Sequence, residues 1–344
     1  MKRHTFCRAS IAALMLTAIS AYAQSTSAGR VPVTVENFAR AESDVSFANF
    51  VKMGGFGKFA HNRDVAPIDR QPVVRPNRDT LYSVGVFDLD AGPLTITLPQ
   101  AAHRYMAMQV ITEEEYTPEV IYQPGSYTFT RKQIGSRYVV MAVRTLVNPE
   151  DPADLEKARH LQDAIVVKQA SPGKFEIPDW DPVSQAKVRD ALRVLGSTLP
   201  DLGGMFGAKG QVDPVRHLIG TASAWGGNPT KDAIYLNVTP EKNDGKTIYH
   251  LRAKDVPVDG FWSISVYNAQ GFFQKNDLDA YTVNNVTAKR ASDGSVDVQF
   301  GGCDGKIPNC LPITDGWNYM VRLYRPRAAI LDGQWHFPVA VAAN

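Results

Sequence analysis

The sequence predicts a mainly β fold, with two β-sandwich regions on either side of a helical section. Three observations carry that prediction. Apolar residues alternate along the chain from about 72 to 147. Asp-Pro pairs at 151–152, 181–182 and 213–214 each open an apolar pattern of helical period. Alternation then returns from about 222 onward.

The first element is an export address. Lys2, Arg3 and Arg8 precede a short apolar run, Ile11 to Ile19, and Ala21-Tyr22-Ala23 supplies the small residues signal peptidase needs. The run is about half of the roughly 20 apolar residues a bilayer span requires. Residues 1–23 therefore read as a signal peptide cleaved near Ala23, which makes the mature protein periplasmic or secreted with no integral membrane segment. Cys7 leaves with that peptide. The formal charge of +2 drops to −1 on cleavage, because three of 37 Lys/Arg leave against 35 Asp/Glu. The near-neutral charge excludes a strongly basic nucleic-acid binder and an acidic disordered tail.

Next comes a helix within 34–52, where Phe38, Ala41, Val45 and Ala48 share a face. Leu94, Ile96 and Leu98 alternate with threonines, and Tyr105–Ile111 and Tyr138–Val147 read as strands. These short strands with turns between them predict a first sandwich over 34–149. In the helical section, 150–220, Leu155, Ala158, Leu161 and Ile165 line one helix. Val183, Ala186, Leu192 and Leu195 line a second, which stops at Gly196, and a short third helix covers 214–219. Six strand signals follow in 221–344: Ala233–Val238, Thr247–Arg252, Phe261–Tyr267, Tyr281–Val286, Val296–Phe300 and Asn318–Arg325. They predict a second sandwich or jelly roll.

Familiar catalytic patterns are missing. There is no GxSxG. Ser184-Gln-Ala-Lys187 sits on a helix without a companion KTG, and Gly245-Lys246-Thr247 lacks the first glycine of a P-loop. The mature histidines are scattered, so no metal and no cofactor is expected. Cys303 and Cys310 lie close together in a Gly/Pro-rich loop, without CxxC spacing or a nearby histidine, and read as a local disulfide.

Two segments concentrate polar chemistry. Arg75-Pro-Asn-Arg-Asp-Thr-Leu-Tyr82 places Asn77, Arg78, Asp79 and Tyr82 where a strand begins. Arg78 and Asp79 are the catalytic candidates, as anion clamp and general base, against the plainer reading of a structural ion pair. Of the acidic run Glu113-Glu114-Glu115, one carboxylate, Glu113, is expected to face a pocket while the run is otherwise solvated. In the C-terminal strand, Asn318, Met320, Arg322 and Tyr324 share a face opposite Tyr319, Val321 and Leu323. A polar strand face of this kind lines a ligand groove or buries an arginine to organise the sandwich. Asn77, Tyr82, Glu113, Arg144, Asn318, Arg322 and Tyr324 are thus the ligand-binding candidates.

These residues also carry a resemblance. PNRDTLYSVGVFDLDAGPLTITLP (76–99), RYMAMQVITEEEYT (104–117) and RYVVMAVRTLVNPEDPADLEKARHLQDAI (137–165) resemble the domain of unknown function numbered 1254. DGFWSISVYNAQGFF (259–273), SDGSVDVQFGG (292–302), NCLP (309–312) and NYMVRLYRP (318–326) resemble its usual partner, numbered 1214. The resemblance spans about 35–338. It implies an immunoglobulin-like N-terminal sandwich and a jelly-roll-like C-terminal one. Many members carry Trp where Cys310 stands, which makes the disulfide a subgroup feature. The family lends no catalytic residue.

Three functions therefore compete: an exported ligand-binding or scaffolding protein, an exported hydrolase or lyase with a carboxylate/arginine site, and an oligomeric envelope-assembly protein. The partners they imply are a small-molecule ligand or further copies of the chain.

Overall fold

Each Asp-Pro pair starts a helix. Asp151, Asp181 and Asp213 accept the backbone N–H groups of Ala153, Ser184 and Val215 through their side chains, and the prolines stand in the first turn, where a missing N–H costs nothing. The structure, a computed structural model, describes residues 29–71 and 73–343. The export segment 1–23 lies outside them.

The first part of the chain forms α1 (Phe38–Lys52), β1 (Ala60–His61), β2 (Thr80–Asp88), β3 (Leu94–Leu98) and β4 (Met106–Thr112). It continues with β5 (Glu119–Ile121), β6 (Gly125–Phe129), α2 (Arg131–Ile134) and β7 (Tyr138–Leu146). The middle holds α3 (Pro152–Asp163), β8 (Val166–Lys168), α4 (Pro182–Gly196) and α5 (Pro214–Ala224). Then follow β9 (Ala233–Val238), β10 (Tyr249–Ala253), β11 (Trp262–Tyr267), β12 (Thr282–Asn284) and β13 (Val296–Phe300). The last elements are β14 (Cys310–Leu311), β15 (Asn318–Tyr324), α6 (Ala328–Leu331) and β16 (Val341–Ala342).

A five-stranded antiparallel sheet, β1-β2-β7-β4-β5, and a three-stranded one, β6-β3-β8, meet through one apolar core. Phe87, Met108, Met141 and Val143 of the first pack on Leu94, Ile96 and Phe129 of the second. The middle of the chain is thus not purely helical, since β8 pairs with β3 from Thr95↔Lys168 to Thr97↔Val166. In the C-terminal half the sheets β12-β11-β15-β9 and β14-β13-β10-β16 share a second core. Trp262, Ile264, Tyr319 and Val321 meet Leu251, Val298 and Phe300 there.

Helix faces differ from the periodic reading in detail. On α1 the buried line is Phe38, Ala41, Asp44 and Phe47, and Val45 points outward. On α4, Val183 and Leu195 are exposed, and Ser184, Gln185 and Leu192 face inward. α5 runs on through Gly220 instead of ending at 219. A Cβ there would lie 2.9 Å from that of Met205, so this glycine serves close packing, not termination.

The central strands β7 and β15 are buried along their whole length. Each therefore has a covered outer face as well as a core face. The outer face of the five-stranded sheet is covered at one end by α1 and Trp225, which reach Val86, Tyr138 and Val140. At the other end it meets the C-terminal half, where Tyr105, Ala107 and Leu146 touch Ala233, Phe261 and Tyr324. The polar faces of both halves come together at this seam.

Candidate functional site

Tyr82 and Arg144 are cross-strand partners on β2 and β7, with side chains on the outer face. Gln109 stands on the same face of β4. From the other half, β9 brings Tyr235 and β15 brings Tyr324. The four aromatic and cationic groups form one cluster, and the Arg144 guanidinium lies 5.5 Å from the centre of the Tyr82 ring.

Neutral groups answer Arg144. Its Nη1 donates to Gln109 Oε1 at 2.7 Å and to Asn228 Oδ1 at 3.4 Å, and its Nη2 donates to the Gly226 carbonyl at 3.2 Å. No carboxylate stands within salt-bridge distance of it among the described residues. Leaving a buried cation without a counter-charge is costly, and sites that do so commonly receive an anion from outside.

The phenols complete the picture. Asn77 Nδ2 donates to Tyr82 Oη at 3.3 Å and to Tyr324 Oη at 3.0 Å. Its carbonyl oxygen accepts the Asp79 N–H at 2.7 Å, which fixes which end of the amide faces the phenols. Asn228 Nδ2 donates to Tyr235 Oη at 2.8 Å. Each of the three phenol oxygens accepts a hydrogen bond, and none has an acceptor for its own proton among the described residues. Tyr82 and Tyr235 remain half-buried.

The two phenols that share Asn77 are driven apart electrostatically. Burial opposes ionisation of Tyr82, but the Arg144 guanidinium and donors from Thr80, Arg144 and Asn77 outweigh it, holding this phenol below the usual tyrosine range. Burial, reinforced by Tyr235 and Tyr82, pushes Tyr324 well above that range. Neighbouring groups tuned in opposite directions are the arrangement that acid–base pairs use.

The remaining candidates lie elsewhere. Arg322, buried on β15, donates to Ser265 Oγ at 2.8 Å, Tyr267 Oη at 2.7 Å and the carbonyls of Arg75 and Pro76. Asp79 is fully buried and turns to the other half, where Asn284 Nδ2 donates to its Oδ1 at 2.9 Å and Thr282 Oγ1 at 3.4 Å. Its Oδ2 has no partner. Arg78 does not pair with it: the guanidinium donates to the Ala66 carbonyl and lies 5.2 Å from the Tyr281 ring centre, and burial lowers its pKa. Asn318 is at the edge of the seam, accepting from Arg75 Nη2 at 3.0 Å.

The acidic run is not solvated throughout: Glu114 is half-exposed, but Glu113 and Glu115 are buried. Glu113 is buried against α1, with Arg40 Nη2 2.5 Å away and the Tyr138 N–H donating to it at 3.0 Å; burial pushes it up to about 7. Glu115, not singled out from the sequence, is buried beneath the seam, takes the Gly226 N–H at 2.8 Å and is pushed up to about 8 by burial. It anchors the Gly226–Asn228 loop that serves Arg144. Tyr235, Asn228 and Gln109 also escaped sequence reasoning. The alternation of β9 was a signal for Tyr235, but the loop that brings Asn228 carried none.

Cys303 and Cys310 form a disulfide, with Cα atoms 5.7 Å apart. Among the described residues, no cluster of three or more His, Cys, Asp or Glu is arranged to hold a metal, and no helix is long and apolar enough to cross a membrane.

Residues 56–114 match the family model described as a protein of unknown function (DUF1254), and residues 233–328 match a second, also described as a protein of unknown function (DUF1214). The two matches fall on separate stretches, one toward each end of the chain. Tyr82 lies in the DUF1254 match, Tyr235 and Tyr324 in the DUF1214 match, and Arg144 in the stretch between. The VPA0106 protein from Vibrio parahaemolyticus has a similar structure, with a TM-score of 0.71 at 17% identity over 90% of this chain and 98% of that one. A putative uncharacterised protein from Burkholderia cenocepacia aligns at a TM-score of 0.50 and 10% identity, over 89% of this chain and 86% of that one. At such identities the likeness is one of fold. No curated protein matches.

Proposed function

We propose that this DUF1254–DUF1214 protein is exported to the periplasm or secreted, and that it binds a small organic acid at the seam between its halves. Arg144 is the counter-ion, and Tyr82, Tyr235 and Tyr324 donate their O–H groups to the ligand's oxygens. One observation carries the reading: a buried guanidinium answered only by neutral acceptors stands beside three phenols with uncommitted protons. A carboxylate would supply both the missing charge and the missing acceptors. The bridge Cys303–Cys310 supports export, because such bonds persist in oxidising compartments.

The opposed tuning of Tyr82 and Tyr324 favours a second reading, an exported hydrolase or lyase acting on the same ligand class. Tyr82 would then take the proton, Tyr324 would give one, and Arg144 would hold developing negative charge. In that reading Asp79 is not the base, since its carboxylate is turned toward Asn284.

The test is a thermal-shift screen of the mature protein against small mono- and dicarboxylates, followed by calorimetry of any hit. A ligand at a hundred times its Kd should add about 2.7 kcal/mol of stability. Tyr82→Phe and Tyr324→Phe should each weaken binding about ten-fold, and Tyr82→Phe should do so with little change in the free protein's melting temperature. Hits that bind both variants as tightly as wild type would overturn the assignment.

A further inference from the structure

We propose a second oxyanion site, independent of Arg144, in a cavity of about 230 Å³ whose cationic group is Arg325. The cavity lies at another part of the seam, walled by 98–106 and 122–124 of the first half and by Asp259, Gly260 and Arg325 of the second.

Two of the charged groups in its wall are paired, and the third, Arg325, feels only the Asp232 carboxylate behind the Tyr122 ring, without contact. Arg104 is committed to Asp154 and to the Leu146 carbonyl. Asp259 is held by Arg327 Nε at 2.7 Å. Arg325 has no such partner: among the described residues, no hydrogen bond or ion pair engages its guanidinium. What holds it is an aromatic face, for its central carbon sits 4.7 Å from the centre of the Tyr122 ring. That ring is itself fixed, because Tyr122 Oη donates to Asp232 Oδ1 at 2.8 Å. A guanidinium held over a tyrosine ring, with no hydrogen bond of its own, has its N–H groups available for bidentate contact with a carboxylate or phosphate.

The backbone supplies an independent reason. Arg325 has φ of 53°, a left-handed conformation in which a residue with a side chain is strained. Its N–H donates to the Asp232 carbonyl at 2.8 Å and its own carbonyl accepts from Asp259 at 2.9 Å, so the conformation is enforced from both sides. Ala102, on the facing wall, has φ of 51°. Glycine fits such a position without strain. Arg325 holds that conformation with its head group unspent, whereas Arg75, at φ of 50°, spends its own on Asn318.

The substitution Arg325→Gly separates this from a structural role, since it relieves the backbone and deletes the guanidinium together. Wild type, R325G, R325K and R144Q are titrated calorimetrically with inorganic phosphate, an oxyanion outside the carboxylate class assigned to Arg144. Wild type should bind it at millimolar concentration. R325G should melt no lower than wild type and lose that binding at least ten-fold; R325K, charged but without the fork, should weaken it less. R144Q should leave it unchanged, so that failure of this site and failure of the Arg144 site are read apart. Phosphate binding that stays intact in R325G, or no binding of phosphate to wild type at millimolar concentration, overturns the proposal.

Discussion

Arg144 and Arg322 make an instructive pair. Each is buried on a central strand, each faces the other half of the molecule, and neither touches a carboxylate. Arg322 spends its donors on main-chain carbonyls of Arg75 and Pro76 and on Ser265 and Tyr267. Those carbonyls belong to the strap that leads into β2, so Arg322 fastens the strap to β15. Arg144 spends its donors on the amides of Gln109 and Asn228 and on a glycine carbonyl, among phenols whose protons have no acceptor. Burial and charge are the same in both. What separates a fastener from a binding group is whether polar capacity is left over around it.

The largest expected effect tests that distinction directly. Arg322→Met leaves two carbonyls and two hydroxyls facing an apolar chain and should cost about 3–5 kcal/mol in denaturant unfolding. Arg144→Met takes one donor from two side-chain amides that keep other hydrogen bonds, Gln109 to Thr117 Oγ1 and the Gly227 carbonyl and Asn228 to Tyr235 Oη, and should cost about 1–2 kcal/mol and abolish ligand binding. Equal losses of stability would erase the comparison.

Next in size is a pH dependence rooted on the Arg144 side. Glu115 and Glu113 are pushed up to about 8 and about 7 by burial. In the folded chain both keep protons that the unfolded chain releases near the usual glutamate pKa of about 4.3. Their contribution is therefore fully present in acid, falls as pH rises through that window and levels off above about 8. Each group adds at most about 1.4 kcal/mol per pH unit to the slope. Urea midpoints across pH 5 to 9 should decline less in Glu115→Gln than in wild type, and an unaltered decline would remove Glu115 as its source.

The smallest effect sharpens the role of the phenols. Tyr82→Phe removes one hydroxyl at a half-buried position and should shift stability by less than about 0.5 kcal/mol. Its effect on binding should be far larger than its effect on folding.

The fold was legible because its signals are local. Asp-Pro marks a helix start wherever it stands in the chain, and alternation marks β3, β13 and β15 without knowledge of their neighbours. Five of the candidates, Asn77, Tyr82, Arg144, Arg322 and Tyr324, lie at one seam, because a polar residue on an otherwise apolar strand must face something other than the core. Arg78 with Asp79 misled for the same reason that made them conspicuous. Adjacent residues on an extended segment project to opposite sides, so proximity in sequence worked against a pairing. Glu115 and Asn228 were illegible because their significance comes only from Gly226 and Arg144, more than 80 residues away from one or the other.

The amide of Asn77 has a further consequence for inheritance. It binds a phenol from each half, and the residue next but one, Asp79, is gripped by Asn284 of the far half. A gene that kept only one of the two domains would keep one phenol, or two, but never the trio around Arg144. Selection acting on this site cannot act on either domain alone, and a lineage that splits the pair forfeits both at once.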